Sequence, residues 1–141
     1  MSKKCLIVVA NYYESISNNL LQSALKSIKN KLSFKIIYVP GVFEIPITIS
    51  KNLSKYDGFI ALGCVIKGQT PHFEFISSSV TYNILNMSVK NKKPIGNGII
   101  TCLNINQAKA RKSKGAEAAK AVISVLSQKW EFLLVPIIIQ E

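Results

Sequence analysis

Histidine and arginine each occur once in this 141-residue chain, as His72 and Arg111. Cysteine is scarce as well. Cys5, Cys64 and Cys102 are widely spaced, each inside or beside an apolar run. No pair has metal-ligand spacing and the number is odd, which argues against a structural zinc site or a disulfide framework. Buried free thiols in a reducing compartment are the expectation. Long apolar runs are missing: the longest, FLLVPIII near the C-terminus, is short and holds a proline, whereas a spanning helix needs about 20 residues. The opening MSKKCLIVVANYYE has a basic lead but a short apolar stretch and no small-residue cleavage site, so it reads as a first strand. A soluble, cytoplasmic protein without membrane contact follows as the expectation. Acidic residues are few, 7 against 18 basic ones, for a formal charge of +11. That balance raises nucleic-acid binding. However, the cations are almost all lysines spread along the chain, and nucleic-acid readers favour clustered arginine and exposed aromatics. A solvated basic surface without a nucleic-acid partner is expected, with a field that draws in anionic substrates.

What is present is apolar content, 48% of the chain, in one domain-sized length (1–141) without linker, repeat or low-complexity segment. KCLIVVA (4–10) is a β-branched run and predicts a buried strand. In 15–32, Ile16, Leu20, Leu21, Ala24, Leu25 and Ile28 recur at helical spacing, with Ser15 or Ser17 as the expected cap. SFKIIYVP (33–40) predicts a second strand, and 43–54 a helix with Pro46 in its first turn. YDGFIALGCVI (56–66) is a third, wholly apolar strand, and 72–91 a long helix. A fourth strand lies within 93–104, a short helix at 105–112 and an alanine-rich helix at 115–130. Strands alternate with helices and lack polar alternation. Parallel strands covered on both faces are expected, in a three-layer α/β domain.

In such sheets ligands bind beyond the carboxyl ends of the strands. There the sequence reads NYYE, PGVFEIP, KGQTPHF and, after the fourth strand, KARKSKG. In KGQTPH, Gly68 permits close backbone approach and Lys67 adds charge. Free amides at the head of the next helix would favour an anion. The turn matches neither a Walker A nor a GxGxxG pattern. Read alone, His72 is either a proton carrier in the first helical turn or a half-exposed cap. Phe43 is either a ring cover or core, and Glu44 either a ligand group or a carboxylate at a helix start. Tyr12 and Tyr13 either stack on a heterocycle or close the core edge. Arg111 is either a bidentate phosphate fork or one more solvated cation.

Taken together, VPGVFEIP, ALGCVIKGQTPHFEFI, GNGIIT, QAKAR and KGAEAA, in this order and spacing, closely resemble the 6,7-dimethyl-8-ribityllumazine synthase family over about residues 4 to 127. The resemblance implies a flavodoxin-like fold with a four-stranded parallel sheet. It implies an enzyme of riboflavin biosynthesis, a transferase that condenses 5-amino-6-(ribitylamino)uracil with 3,4-dihydroxy-2-butanone 4-phosphate, using no metal and no cofactor. By position, Tyr12 would stack on the pyrimidine. Val42, Phe43 and Glu44 would line the pyrimidine and ribityl site. Gly68, Gln69 and Thr70 would frame the phosphate, and His72 would transfer protons. Arg111 would bind the phosphate from a neighbouring subunit, with Lys114 and Glu117 close by. Homo-oligomers with sites between subunits are implied.

The sequence departs from that pattern in places. Asn97 stands where many members carry a phenylalanine over the pyrimidine. The link KARKSKGAEAA lacks the longer loop of capsid-forming members, so a pentamer or a decamer is expected. The chain starts almost at its first strand, without the segment that in many relatives joins a neighbour's sheet. The tail 131–141 is unusually apolar, and packing at a subunit interface is the expectation for it.

Overall fold

The computed structural model describes residues 3–69 and 72–128. Within them the order is β1 (Lys4–Ala10), α1 (Glu14–Ile28), β2 (Ser33–Val39), a 3-10 turn (Val42–Glu44), α2 (Ile45–Lys51), β3 (Gly58–Ile66), α3 (Phe73–Asn91), β4 (Ile95–Cys102), α4 (Ile105–Ala110) and α5 (Lys114–Leu126). All strand pairs are parallel, and the sheet runs β2-β1-β3-β4. This is the start of the flavodoxin-like order. The expected three-layer α/β fold is present.

Two apolar cores flank the sheet. On one face Ile7, Val9, Ile60 and Leu62 meet Leu20 and Ala24 of α1 and Ala119 and Val122 of α5. On the other, Leu6, Val8, Phe59 and Ala61 meet Ile45 and Ile49 of α2 and Val80 and Ile84 of α3. Successive residues of a strand point to opposite faces, so a strand feeding both cores must be apolar throughout. β3 is, and all of its residues are buried. The edge strands depart from that expectation. β2 is mostly exposed, and in β4 buried residues alternate with half-buried or exposed ones; among the described residues one side of each has no neighbouring strand.

α1 and α5 lie close together because Gly115 has no side chain: a Cβ there would collide with the Leu20 carbonyl. The predicted serine cap of α1 is incorrect. Tyr13 occupies the cap position and makes no side-chain cap bond. Ser17 lies inside the helix, buried, where its hydroxyl donates to the Ala10 carbonyl and ties α1 to the end of β1. The α2 region is also shorter than predicted, a 3-10 turn followed by a helix with Pro46 in its first turn. The apolar tail 131–141 lies outside the described residues.

Candidate active site

β1 and β3 are neighbours, yet β1 feeds α1 on one face and β3 feeds α3 on the other. The chain therefore parts at their carboxyl ends, the switch point where open α/β sheets take ligands. A cavity of ≈ 370 Å³ lies there, lined by Tyr12, Gly41, Val42, Phe43, Cys64, Val65, Gln69, His72 and Ile76. Its floor is apolar: Val42, Cys64 and Val65 are buried. Its rim carries rings. Tyr12 is 69% exposed and Phe43 62%, and Tyr13 meets Tyr12 edge-on at 4.9 Å. An apolar slot rimmed by exposed rings suits a planar heterocycle.

The turn after β2 is braced from within. The Gly41 N–H donates to Glu44 Oε1 at 3.0 Å, and the Glu44 N–H donates to the Gly41 carbonyl at 3.2 Å. Glu44 does not line the cavity; it holds the turn that presents Val42 and Phe43. Neither Phe43 nor Tyr12 is core. Gly68, in the turn after β3, has a φ of +86°, which a side chain would strain. Thr70 lies outside the described residues.

His72 differs from its predicted setting. It precedes α3 rather than sitting in its first turn, in the left-handed conformation at φ 58° and ψ 36°. Its carbonyl accepts the Ile76 N–H at 2.9 Å, so the backbone enters the helix while the imidazole stays exposed at the cavity. A left-handed backbone at a residue other than glycine costs roughly 1–3 kcal/mol and is concentrated at functional sites.

Arg111, Asn97, Lys114 and Glu117 are elsewhere. They line a second hollow of ≈ 410 Å³ beside edge strand β4, together with Thr101 and Ser113. Arg111 Nη1 donates to the Thr101 carbonyl at 3.0 Å and approaches Cys102 Sγ at 3.9 Å. The guanidinium carries further donors on Nη2 and Nε. Lys114 Nζ lies 3.7 Å from Glu117 Oε1, an exposed pair that contributes little to stability. Asn97 folds back on its own strand, its Oδ1 accepting the Ile99 N–H at 3.0 Å. The lining of this hollow is polar and cationic, as anion recognition requires. The two linings share no residue.

Sequence reading missed several lining residues. Cys64 and Val65 end β3, so their position follows from the strand's length. Ile76 is one helical turn beyond His72, a spacing legible once α3 is placed. The Thr101 carbonyl that holds Arg111 is backbone and leaves no trace in residue type. Burial pushes the Cys64 thiol up from 9.0 to about 12, with the neighbouring Cys102 adding to the shift. Cys64 is thus a neutral wall of the cavity and no nucleophile at neutral pH. Among the described residues no cluster of His, Cys, Asp and Glu could hold a metal ion, and no helix is long and apolar enough to cross a membrane.

Comparison with known proteins gives the same direction. The sequence model described as 6,7-dimethyl-8-ribityllumazine synthase matches residues 2–129. The 6,7-dimethyl-8-ribityllumazine synthase of Bartonella tribocorum is 40% identical over 136 residues, covering 90% of each chain. That of Blochmanniella pennsylvanica is 41% identical over 137 residues, covering 88% of this chain and 86% of its own. That of Agrobacterium fabrum is 37% identical over 143 residues, covering 92% and 97%. With nearly its whole length matched, this chain belongs to the 6,7-dimethyl-8-ribityllumazine synthase family.

Proposed function

We propose that the chain is a transferase of riboflavin biosynthesis. It joins 5-amino-6-(ribitylamino)uracil to 3,4-dihydroxy-2-butanone 4-phosphate and releases 6,7-dimethyl-8-ribityllumazine, phosphate and water. The observation that carries the reading is the ring-rimmed cavity at the switch point with the only imidazole of the chain at its edge. Family membership names the reaction; the cavity supplies a place for it.

In this reading the pyrimidine lies against Val42 and beneath Phe43, with Tyr12 stacking on its other side. Asn97, tied to Ile99, does not cover the ring as a phenylalanine would. Gly68, Gln69 and Thr70 frame the phosphate. The substrate amine attacks the ketone and loses water to give an imine. Phosphate then leaves, a carbonyl forms, and a second condensation closes the ring. His72 carries protons through these steps. Arg111 and Lys114 hold the phosphate and stabilise it as it departs. Both substrates are reactive, so positioning supplies much of the rate. No metal or organic cofactor takes part.

One chain keeps His72 and Arg111 in separate hollows, so the reading requires a second copy. A neighbour's Arg111, Lys114, Glu117 and Asn97 would close over the cavity that holds His72. Two features support assembly. β4 is an unpaired edge among the described residues, and α3 leaves Phe75, Tyr82, Leu85 and Val89 exposed along its length. We assign a homopentamer or a decamer, located in the cytoplasm, with 1–141 as one domain. The test is direct. Purified protein is given both substrates, and lumazine absorbance is followed against the uncatalysed rate. Acceleration is expected. Tight pyrimidine binding without turnover would instead make this a binding protein on the same scaffold.

A further inference from the structure

The lysines are dispersed along the sequence, but folding collects many of them. Each turn that enters the sheet carries at least one: Lys31 before β2, Lys55 before β3 and Lys93 before β4, with Lys4 opening β1. Four of the five carboxylates among the described residues lie at the other end, as Glu14, Glu44, Glu74 and Glu117. The fifth, Asp57, is engaged: its Oδ2 accepts the Lys4 backbone N–H at 2.7 Å. Among the described residues the amino end of the sheet is therefore cationic, with almost no acid to offset it. Helix C-termini also gather there, and lysines complement their dipoles. Dipoles alone do not account for what lies between them.

A cavity of ≈ 570 Å³ opens at this end, between the start of β2 and the turn before β3. Lys4, Lys35 and Lys55 line it with Phe34, Tyr56, Ser33 and Ser54. The three lysines are exposed and have no ion-pair partner among the described residues. The half-buried Tyr56 ring lies on the same face as Lys4 and Lys35 and is held edge-on by Phe59 at 6.1 Å, whereas Phe34, paired with Cys5, turns to the opposite face. Neither the proposed reaction nor the hollows at the carboxyl end use any of these groups.

Ammonium groups, the Ser54 hydroxyl and one aromatic ring around one open cavity match a phosphate attached to an aromatic base. The volume falls within the range of small-molecule sites. We infer that the amino end of the sheet is a second binding site, and that its ligand is a nucleotide. Lys4, Lys35 and Lys55 take the phosphate, and Tyr56 takes the base. The nucleotide comes either free or as a unit of a single strand.

The probes are a short fluorescein-labelled oligouridylate, read by anisotropy, and free uridine monophosphate as competitor. Binding that weakens as salt rises is expected. Lys35→Glu with Lys55→Glu should weaken it about tenfold or more, and Tyr56→Leu, which keeps apolar bulk, about threefold. A control of equal charge change, Lys112→Glu with Lys120→Glu on the α5 side, should lose far less. Competition by the monophosphate at matched phosphate concentration assigns the free nucleotide as source; oligomer binding without such competition assigns the strand. Equal losses in the two charge-reversed pairs would reduce the effect to net charge and overturn the site. So would failure to bind either probe, or binding to phosphatidylserine vesicles alone. Lumazine formation by the Lys35/Lys55 variant should be unchanged, which separates this site from the reaction.

Discussion

The two hollows at the carboxyl end of the sheet differ in kind. The one at the switch point has a buried apolar floor, two exposed rings and an imidazole. The one beside β4 is polar, with a guanidinium, an ammonium paired to the Glu117 carboxylate, and an amide. The first suits a flat heterocycle that is largely desolvated. The second suits an anion that keeps its charge. Placing both chemistries in one slot would bury cations against an apolar floor, which is costly without partners. Division between two surfaces spares the single chain that cost, and in the proposed reading catalysis then depends on how copies meet.

The sharpest way to break this contrast is to remove the imidazole. His72→Ala should lower kcat by about a hundredfold, the low end for general acid–base catalysis, and leave residual activity from positioning. Wild-type turnover would remove His72 from the mechanism. Arg111→Ala should act on the other substrate, raising KM for the butanone phosphate by roughly tenfold or more, since a charge-assisted hydrogen bond contributes about 1.5–3 kcal/mol. An unchanged KM would count against its role. Phe43→Ala should raise KM for the pyrimidine alone, by about fivefold, through loss of a stacking face. An equal effect on both substrates would blur the division of labour.

A smaller effect concerns the walls rather than the ligands. Burial pushes Cys5 and Cys64 up from 9.0 to about 12. A raised folded-state pKa favours the neutral thiol. Its stabilising contribution is full below about pH 9 and is lost as pH rises towards 12. Chemical denaturation at stepped pH should show stability falling in that alkaline window. Cys64→Val, which cannot ionise, should flatten part of the fall. A fall of unchanged size in both Cys64→Val and Cys5→Val would assign it to other groups.

The fold was legible because its strands feed two cores. β1 after Lys4 and all of β3 are apolar at every turn of the pleat, and α1 repeats Ile16, Leu20, Ala24 and Ile28 at helical spacing. The exposure of β2 and β4 was not legible, since edge position is a matter of strand order. Ser17 looked like a cap because its residue type favours one, yet its hydroxyl serves β1 instead. At the site, residue types and order offered Tyr12, Phe43 and His72 as candidates and the family resemblance added Gln69; all four line the cavity. The left-handed backbone of His72 was not legible, because histidine is enriched in that region but still adopts it in only a minority of cases. Nor was the separation of Arg111 from His72, which only the tertiary arrangement exposes. The lysines illustrate the same point: dispersed in sequence, they converge because parallel strands all begin at one end.

Complementation tests the central claim most directly. His72→Ala and Arg111→Ala chains, each impaired alone when the butanone phosphate is held well below its wild-type KM, are unfolded together, refolded as mixed oligomers and assayed for lumazine formation under that condition. If one copy supplies the cavity and its neighbour the arginine, random mixing at a heterologous interface restores about a quarter of the wild-type sites. Activity no greater than the mean of the two parents, in oligomers shown to be mixed, would contradict a site shared between chains.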